Sequence, residues 1–203
     1  YNGFNSGFFS PSTIVVSLQN GMGNVEILRE QLQGESHLMP VFQGLTYTGV
    51  SRPEEYMAQI NGLGKTFVGI PNPQENHEML LTKDVSGILE ELASRLDVTF
   101  TDGIDSMMWT KLLVNTIINP ITSLLDLPNG SVATEKRFQG ILSSACKEFE
   151  KVARKEKVDL QLGDETAAEF VIRVATNTNS NISSMLNDVR EGNQTEASSA
   201  SWD

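Results

Sequence analysis

The segment WTKLLVNTIINPITSLL, Trp109 to Leu125, constrains this chain more than any other. Lys111, Asn115 and Asn119 recur every four residues there, inside an otherwise apolar helical pattern. An α-helix turns about 100° per residue, so each four-residue step drifts about 40° and the three polar groups climb one face. Leu112, Leu113, Val114, Ile117 and Ile118 occupy most of the remaining circumference. Such a helix needs protein around it, so the fold must supply packed neighbours. The fold must also account for an ammonium and two carboxamides in partial burial, which cost free energy unless something hydrogen-bonds them. A small polar ligand is one such partner. Taken singly, the residues have ordinary explanations: a lone helical Lys is usually solvated, and an Asn beside Pro120 commonly ends or kinks a helix. Three in register shift the balance toward a binding face.

Around this helix the chain divides in two. The first half reads as strands with intervening helices. TIVVSL (Thr13 to Leu18) is an apolar, β-branched run of the kind found in buried parallel strands; a turn at Asn20, Gly21 and Gly23 follows, then a helix from about Asn24 to Gln33. LMPVFQ and LTYTGV come next as two runs. YMAQI and KTFVGI, joined through Asn61 to Gly64, read as a small antiparallel extension with a glycine-bearing hairpin. Val85, Ile88, Leu89, Leu92 and Leu96 give an amphipathic helix from Lys83 to Leu96, and DVTFT supplies a further strand. From Asp105 onward helical spacing dominates, through Phe138, Ile141, Leu142, Ala145, Phe149 and Val152, then Phe170, Val171 and Val174. The change near Thr101 to Asp105 marks a domain boundary, and clefts between domains favour ligand sites.

The formal charge of −11 over 203 residues argues against nucleic-acid binding, which needs clustered Lys and Arg for phosphate contacts. The single cysteine, Cys146, falls among Ile141, Leu142, Ala145 and Phe149 on an apolar helical face, which predicts a buried structural thiol rather than a nucleophile. With two histidines, His37 and His77, far apart, no metal site is expected. No apolar run is long enough for a bilayer span and no signal-peptide pattern opens the chain, so a cytoplasmic location is the default expectation. The start without methionine and the abrupt end at SSASWD predict a fragment.

GMGN at Gly21 to Asn24 is not a dinucleotide fingerprint. The G-x-G-x-x-G pattern would need glycine where Glu26 stands, and no phosphate-binding glycine loop occurs in the sequence. Asn20 nevertheless follows a predicted parallel strand, at the edge where open α/β sheets place ligands, although Asn is also a common turn former. Near the C-terminus, Ser184 and Glu196 flank a short amphipathic helix containing Met185, Leu186 and Val189, with Ser183 as a candidate cap.

Three blocks, LQNGMGN, WTKLLVNTIINPITSLLDLPNG and NISSMLNDVREGNQTE, in that order and at these separations, closely resemble the ketopantoate reductase (2-dehydropantoate 2-reductase) family. The resemblance covers nearly the whole chain after about Ser10. It implies an α/β remnant of a Rossmann-type nucleotide-binding domain followed by an all-helical C-terminal domain. On that footing residues 1–102 form a partial NADP-binding domain without its N-terminal G-x-G-x-x-G part. Residues 103–203 form a helical substrate and dimerisation domain, truncated at its end. The implied activity is NADPH-dependent reduction of 2-dehydropantoate to pantoate, with a small 2-keto acid as substrate, a homodimer as the assembly, and no nucleic-acid or membrane partner. By motif, Lys111 resembles the family's proton donor, and Asn115, Asn119, Asn129 and Ser184 its substrate-binding positions. Asn20 resembles a residue that meets both cofactor and substrate; Glu196 and Val50 resemble cofactor contacts. The missing glycine loop implies weak cofactor binding by this polypeptide alone, and the two truncations imply exposed apolar surface, poor stability or self-association.

Other readings stay open at this stage. Hydroxyisobutyrate and glycerol phosphate dehydrogenases also pair a Rossmann domain with a helical lysine, but the second Asn before Pro120 and the SSM segment ahead of a Glu favour ketopantoate reductase. A related reductase for another 2-keto acid, and a non-catalytic module that binds or dimerises, are the remaining alternatives.

Overall fold

The computed structural model describes residues 13–32, 40–71 and 83–195. Its chain falls into two compact units, residues 1–105 and 106–203. The first unit is built on a four-stranded mixed sheet in the order β1-β2-β5-β6, formed by β1 (Val15–Ser17), β2 (Val41–Thr46), β5 (Thr66–Gly69) and β6 (Val98–Phe100). β1 runs parallel to β2 with Val15 opposite Val41, β2 antiparallel to β5 with Gly44 opposite Val68, and β5 parallel to β6 with Thr66 opposite Val98.

β2 is buried from Val41 to Leu45 because helices cover both sides of it. Alternate strand residues point to opposite faces. Val41 therefore packs with Val25 and Leu32 of α1 (Asn24–Leu32), while Phe42 packs with Val68, Ile70 and Leu89, the last from α2 (Lys83–Leu96). This helix, sheet, helix layering, joined to a helical second unit, is the α/β plus all-helical class expected from the sequence.

Two strand assignments differ from the sequence reading. Val41 to Thr46 is one strand, where Gly44 reads as a break between LMPVFQ and LTYTGV; Leu38 and Met39 lie outside the described residues. Gly44 sits inside the strand, where a Cβ would stand 2.5 Å from the movable Leu18 Cδ2 and 3.2 Å from the Ser17 carbonyl oxygen, so glycine eases the close approach of β1. The hairpin is also placed differently. β4 (Met57–Gly62) pairs with β3 (Gly49–Glu54) across the Glu55–Tyr56 turn, and not with KTFVGI, which enters the main sheet as β5. Gly64 serves close approach instead of a hairpin turn. A Cβ at Gly64 would lie 2.5 Å from the Tyr47 carbonyl, and the Thr48 hydroxyl there accepts from Gly64 N–H at 3.1 Å and donates to its carbonyl at 2.9 Å. Burial decides the partner: Val68 and Ile70 are needed under Phe42, whereas Ile60 of β4 stays 61% exposed.

The second unit is helical throughout its described residues. α3 (Ile104–Leu125) runs unbroken through Pro120, which ends neither the helix nor its apolar stripe. The carbonyl that Pro120 leaves without an N–H partner belongs to Thr116, an exposed residue, so water can satisfy it. Leu113, Ile117 and Ile118 of α3 form the core with Val132 of α4 (Gly130–Thr134), Leu142 and Cys146 of α5 (Gln139–Lys155), and Ala167, Val171 and Ala175 of α6 (Ala167–Asn177). α7 (Ser184–Glu191) follows, and it ends at Gly192 in the left-handed conformation with φ of 73°. Thr166 caps α6 by accepting from Glu169 N–H, while the Glu169 carboxylate accepts from Thr166 N–H at 2.8 Å.

Two predictions follow from this packing. Leu113→Ala leaves a cavity under a fully buried side chain, and should cost about 2–5 kcal/mol in chemical denaturation of the chain. Hydrogen bonds from Thr166 hold the Glu169 carboxyl below its ordinary value of 4.5, and the Arg173 guanidinium does the same for Glu165. A depressed folded-state value stabilises above the unfolded one and is lost as pH falls through it. The first turn of α6 should therefore exchange its amides faster, relative to the rest of that helix, once pH drops below about 4.5.

Candidate functional site

The stripe on α3 exists in three dimensions as the spacing requires. Leu113 and Ile117 face the helical core, while Lys111, Asn115 and Asn119 share the opposite flank, about 40° apart from one to the next. Lys111 is half-buried and already engaged by neighbouring groups. Asn119 is only 8% exposed, yet its carboxamide makes no hydrogen bond with another described residue; nor does that of half-buried Asn115. Their amide atoms keep some access to solvent, so water or a ligand can supply the partners. One helix flank thus offers a cation and two carboxamides, each of which can donate and accept without adding charge.

Thr122 extends the flank in a way that the four-residue repeat conceals. It lies eleven residues after Lys111, and at about 100° per residue that returns it to within about 20° of Lys111. Its side chain is fully buried and lies 2.9 Å from the hydroxyl of Ser183, the N-cap of α7. Ser183 is therefore the capping residue and Ser184 the first residue of the helix, exposed, at the carboxyl-terminal end of the stripe. Ser183 is the cap expected from the sequence, whereas Thr122 is not among the residues that the sequence singles out. The three-residue step from Asn119 was the available signal for Thr122.

Asn129 follows the end of α3, where Leu127 N–H donates to the Thr122 carbonyl at 3.0 Å, and is largely committed. Its Nδ2 donates to Thr178 Oγ1 at 3.1 Å, its backbone N–H donates to the Asn181 carbonyl at 3.0 Å, and Gly130 N–H donates to the Asn179 carbonyl at 3.1 Å. Only Asn129 Oδ1 is left over, buried and without a partner among the described residues. Glu196 lies outside the described residues.

Asn20 and Val50 belong to the first unit. Asn20 is exposed after β1, where its backbone carbonyl accepts from Asn24 Nδ2 at 3.0 Å. Gly21 and Gly23 take φ of +85° and +84°, with nothing within 4 Å of where their Cβ atoms would stand. That open backbone at the carboxyl end of a parallel strand can admit a flat ring, although it lacks the glycine pattern that receives a pyrophosphate. Nearby, Gln43 Nε2 donates to the Ser17 carbonyl at 3.1 Å and to the Gly44 carbonyl at 2.7 Å, whereas buried Ser17 Oγ has no partner among the described residues. Val50 is 57% exposed on β3 and pairs with Ile60, so any ligand contact there is through an edge of the small hairpin.

Among the described residues no group of three or more metal-ligating side chains gathers, and no helix is long and apolar enough to cross a membrane. Cys146 is 2% exposed, and burial, with the nearby Glu150 carboxylate adding to it, pushes its thiol up to about 11. In the folded chain it should react with a thiol reagent at pH 8 far more slowly than after denaturation, as a colorimetric thiol assay will show.

Comparison with known proteins places this two-part fold. The sequence profile described as "Ketopantoate reductase PanE/ApbA" matches residues 6–73, and "Ketopantoate reductase PanE/ApbA C terminal" matches residues 103–200. A 2-dehydropantoate 2-reductase of Pyrococcus horikoshii is 30% identical over 184 residues, 91% of this chain and 56% of that protein. Among solved structures, a probable 2-dehydropantoate 2-reductase from Bacillus subtilis aligns with a TM-score of 0.61 and 26% identity over 93% of this chain and 59% of that one. A D-mandelate dehydrogenase solved with NADH and anilino(oxo)acetate shares the fold, with a TM-score of 0.68 at 20% identity over 93% of this chain and 58% of that one. The chain belongs to the ketopantoate reductase family. It spans a little over half the length of the curated relatives it matches.

Proposed function

We propose that this chain serves the NADPH-dependent reduction of 2-dehydropantoate to pantoate, as part of a cytoplasmic homodimer, with residues 1–102 holding cofactor and residues 103–203 holding the keto acid. The observation that carries the reading is the α3 flank: an amine aligned with two carboxamides that no other described residue engages, in a chain that belongs to this family. In the proposed roles Lys111 is the proton donor, Asn115, Asn119, Asn129 and Ser184 bind substrate, Asn20 meets substrate and cofactor, and Val50 and Glu196 contact the cofactor.

When bound, the reduced nicotinamide supplies the hydride that adds to the ketone carbon. The electron pair of the broken carbonyl π bond moves onto oxygen, and the Lys111 ammonium stabilises that charge and delivers the proton, so the products are a 2-hydroxy acid and oxidised cofactor. Asn115 and Asn119 can accept from the substrate hydroxyl and donate to its oxygens while keeping their own burial satisfied. Ser184 donates to the carboxylate end. The open turn at Gly21 and Gly23 fits the ring end of the cofactor, and the family's pyrophosphate loop has no counterpart in this sequence.

The amine interacts more strongly with the oxyanion than with the ketone, so its loss affects the chemical step above all. Lys111→Ala in the full-length gene product should lower kcat by about 10²- to 10⁴-fold with KM for the keto acid changed little, in steady-state NADPH oxidation. Wild-type kcat with a raised KM would reassign Lys111 to binding.

A further inference from the structure

The buried hydroxyl pair that joins α3 to α7 can run in only one direction. Thr122 Oγ1 lies 2.9 Å from the Ile118 carbonyl oxygen, 3.0 Å from the Asn119 carbonyl oxygen and 2.9 Å from Ser183 Oγ. Carbonyl oxygens only accept, so the single Thr122 proton goes to them, and Thr122 must accept the proton of Ser183. Ser183 Oγ in turn accepts from Leu186 N–H at 3.2 Å. The relay therefore reads Leu186 N–H to Ser183 to Thr122 to the α3 backbone. Reversal would set Thr122 Oγ1 against two carbonyl oxygens with no proton between them and leave the Ser183 proton unused.

This relay fixes the first turn of α7 at the end of the α3 flank. Helix geometry leaves the N–H groups of Ser184 and Met185 without intrahelical partners, and they carry the positive end of the helix dipole. The far end of α7 is tied to the end of α3 by the solvated Arg190–Asp126 pair at 2.7 Å, so α7 is held at two points. The buried tie is the one made at the first turn.

We propose that Thr122 is a positioning residue: through Ser183 it aims Ser184 and the first-turn amides of α7 at the carboxylate of the substrate carried on the Lys111 to Asn119 flank. The inference rests on the reductase reading above. Thr122 itself touches no substrate. Its loss therefore slackens recognition of one substrate group while the proton-donating amine stays in place.

The test compares Thr122→Val, which keeps the shape and removes the hydroxyl, with Thr122→Ser, which keeps the hydroxyl, in the full-length gene product. With the 2-keto acid, Thr122→Val should raise KM roughly tenfold and leave kcat within about twofold, and Thr122→Ser should restore KM. With the methyl ester of the same acid, which has no carboxylate, the KM of Thr122→Val should equal that of wild type. Hydrogen exchange should be faster at the Leu186 amide in Thr122→Val, with α5 and α6 unchanged. Should that variant fail to fold, Ser183→Ala breaks the same link from the other side and should separate acid from ester in the same way. A wild-type protein that reduces neither compound removes the reductase reading itself. Normal wild-type turnover with an unchanged acid KM in Thr122→Val, or an equal KM rise for acid and ester, overturns the positioning role alone.

Discussion

The second unit depends on one division of labour around α3. Leu113, Ile117 and Ile118 are buried against α4, α5 and α6, and that apolar contact fixes the rotation of the helix about its own axis. Once the rotation is fixed, the flank carrying Lys111, Asn115, Asn119 and Thr122 has no freedom left. A different rotation would bury the ammonium in the core and expose leucine and isoleucine, losing on both counts. The polar groups are held in line by the packing behind them, which is how a site can keep amides oriented for a ligand.

In the first unit the equivalent constraint is β2. A strand buried on both faces must be largely apolar, with any polar side chain hydrogen-bonded as Gln43 is, and its neighbours must come close enough to satisfy its backbone. Glycine provides that closeness at Gly44, against β1, and at Gly64, beside Tyr47. The exposed β3–β4 hairpin carries less of this burden, which agrees with the exposure of Val50 and Ile60. The turn between β1 and α1 then lies where such sheets present ligands, and its left-handed glycines leave the backbone bare there.

Much of this was legible beforehand where the signal was local. The helix from Lys83 to Leu96, the strand, turn and helix around Asn24, the long α3 and the buried Cys146 each follow from periodicity or a short motif. The hairpin was misread because glycine marks both turns and close approaches, and residue type alone does not say which. Of the site residues, Lys111, Asn115 and Asn119 could be aligned from spacing. Asn129 could not be weighed that way, since its commitment to Thr178 crosses 49 residues of sequence.

By itself the sequence determined where the long helices lie, which face of α3 is polar, and which family's blocks the chain carries. These are properties of neighbouring residues, encoded by periods of about 3.6 and 2. Tertiary structure alone decided that KTFVGI joins the main sheet, that Gly44 and Gly64 are points of contact, and that Thr122 meets Ser183 across 61 residues. Those outcomes depend on which distant surfaces most need burial and which hydroxyls find an acceptor there, and no local pattern records either.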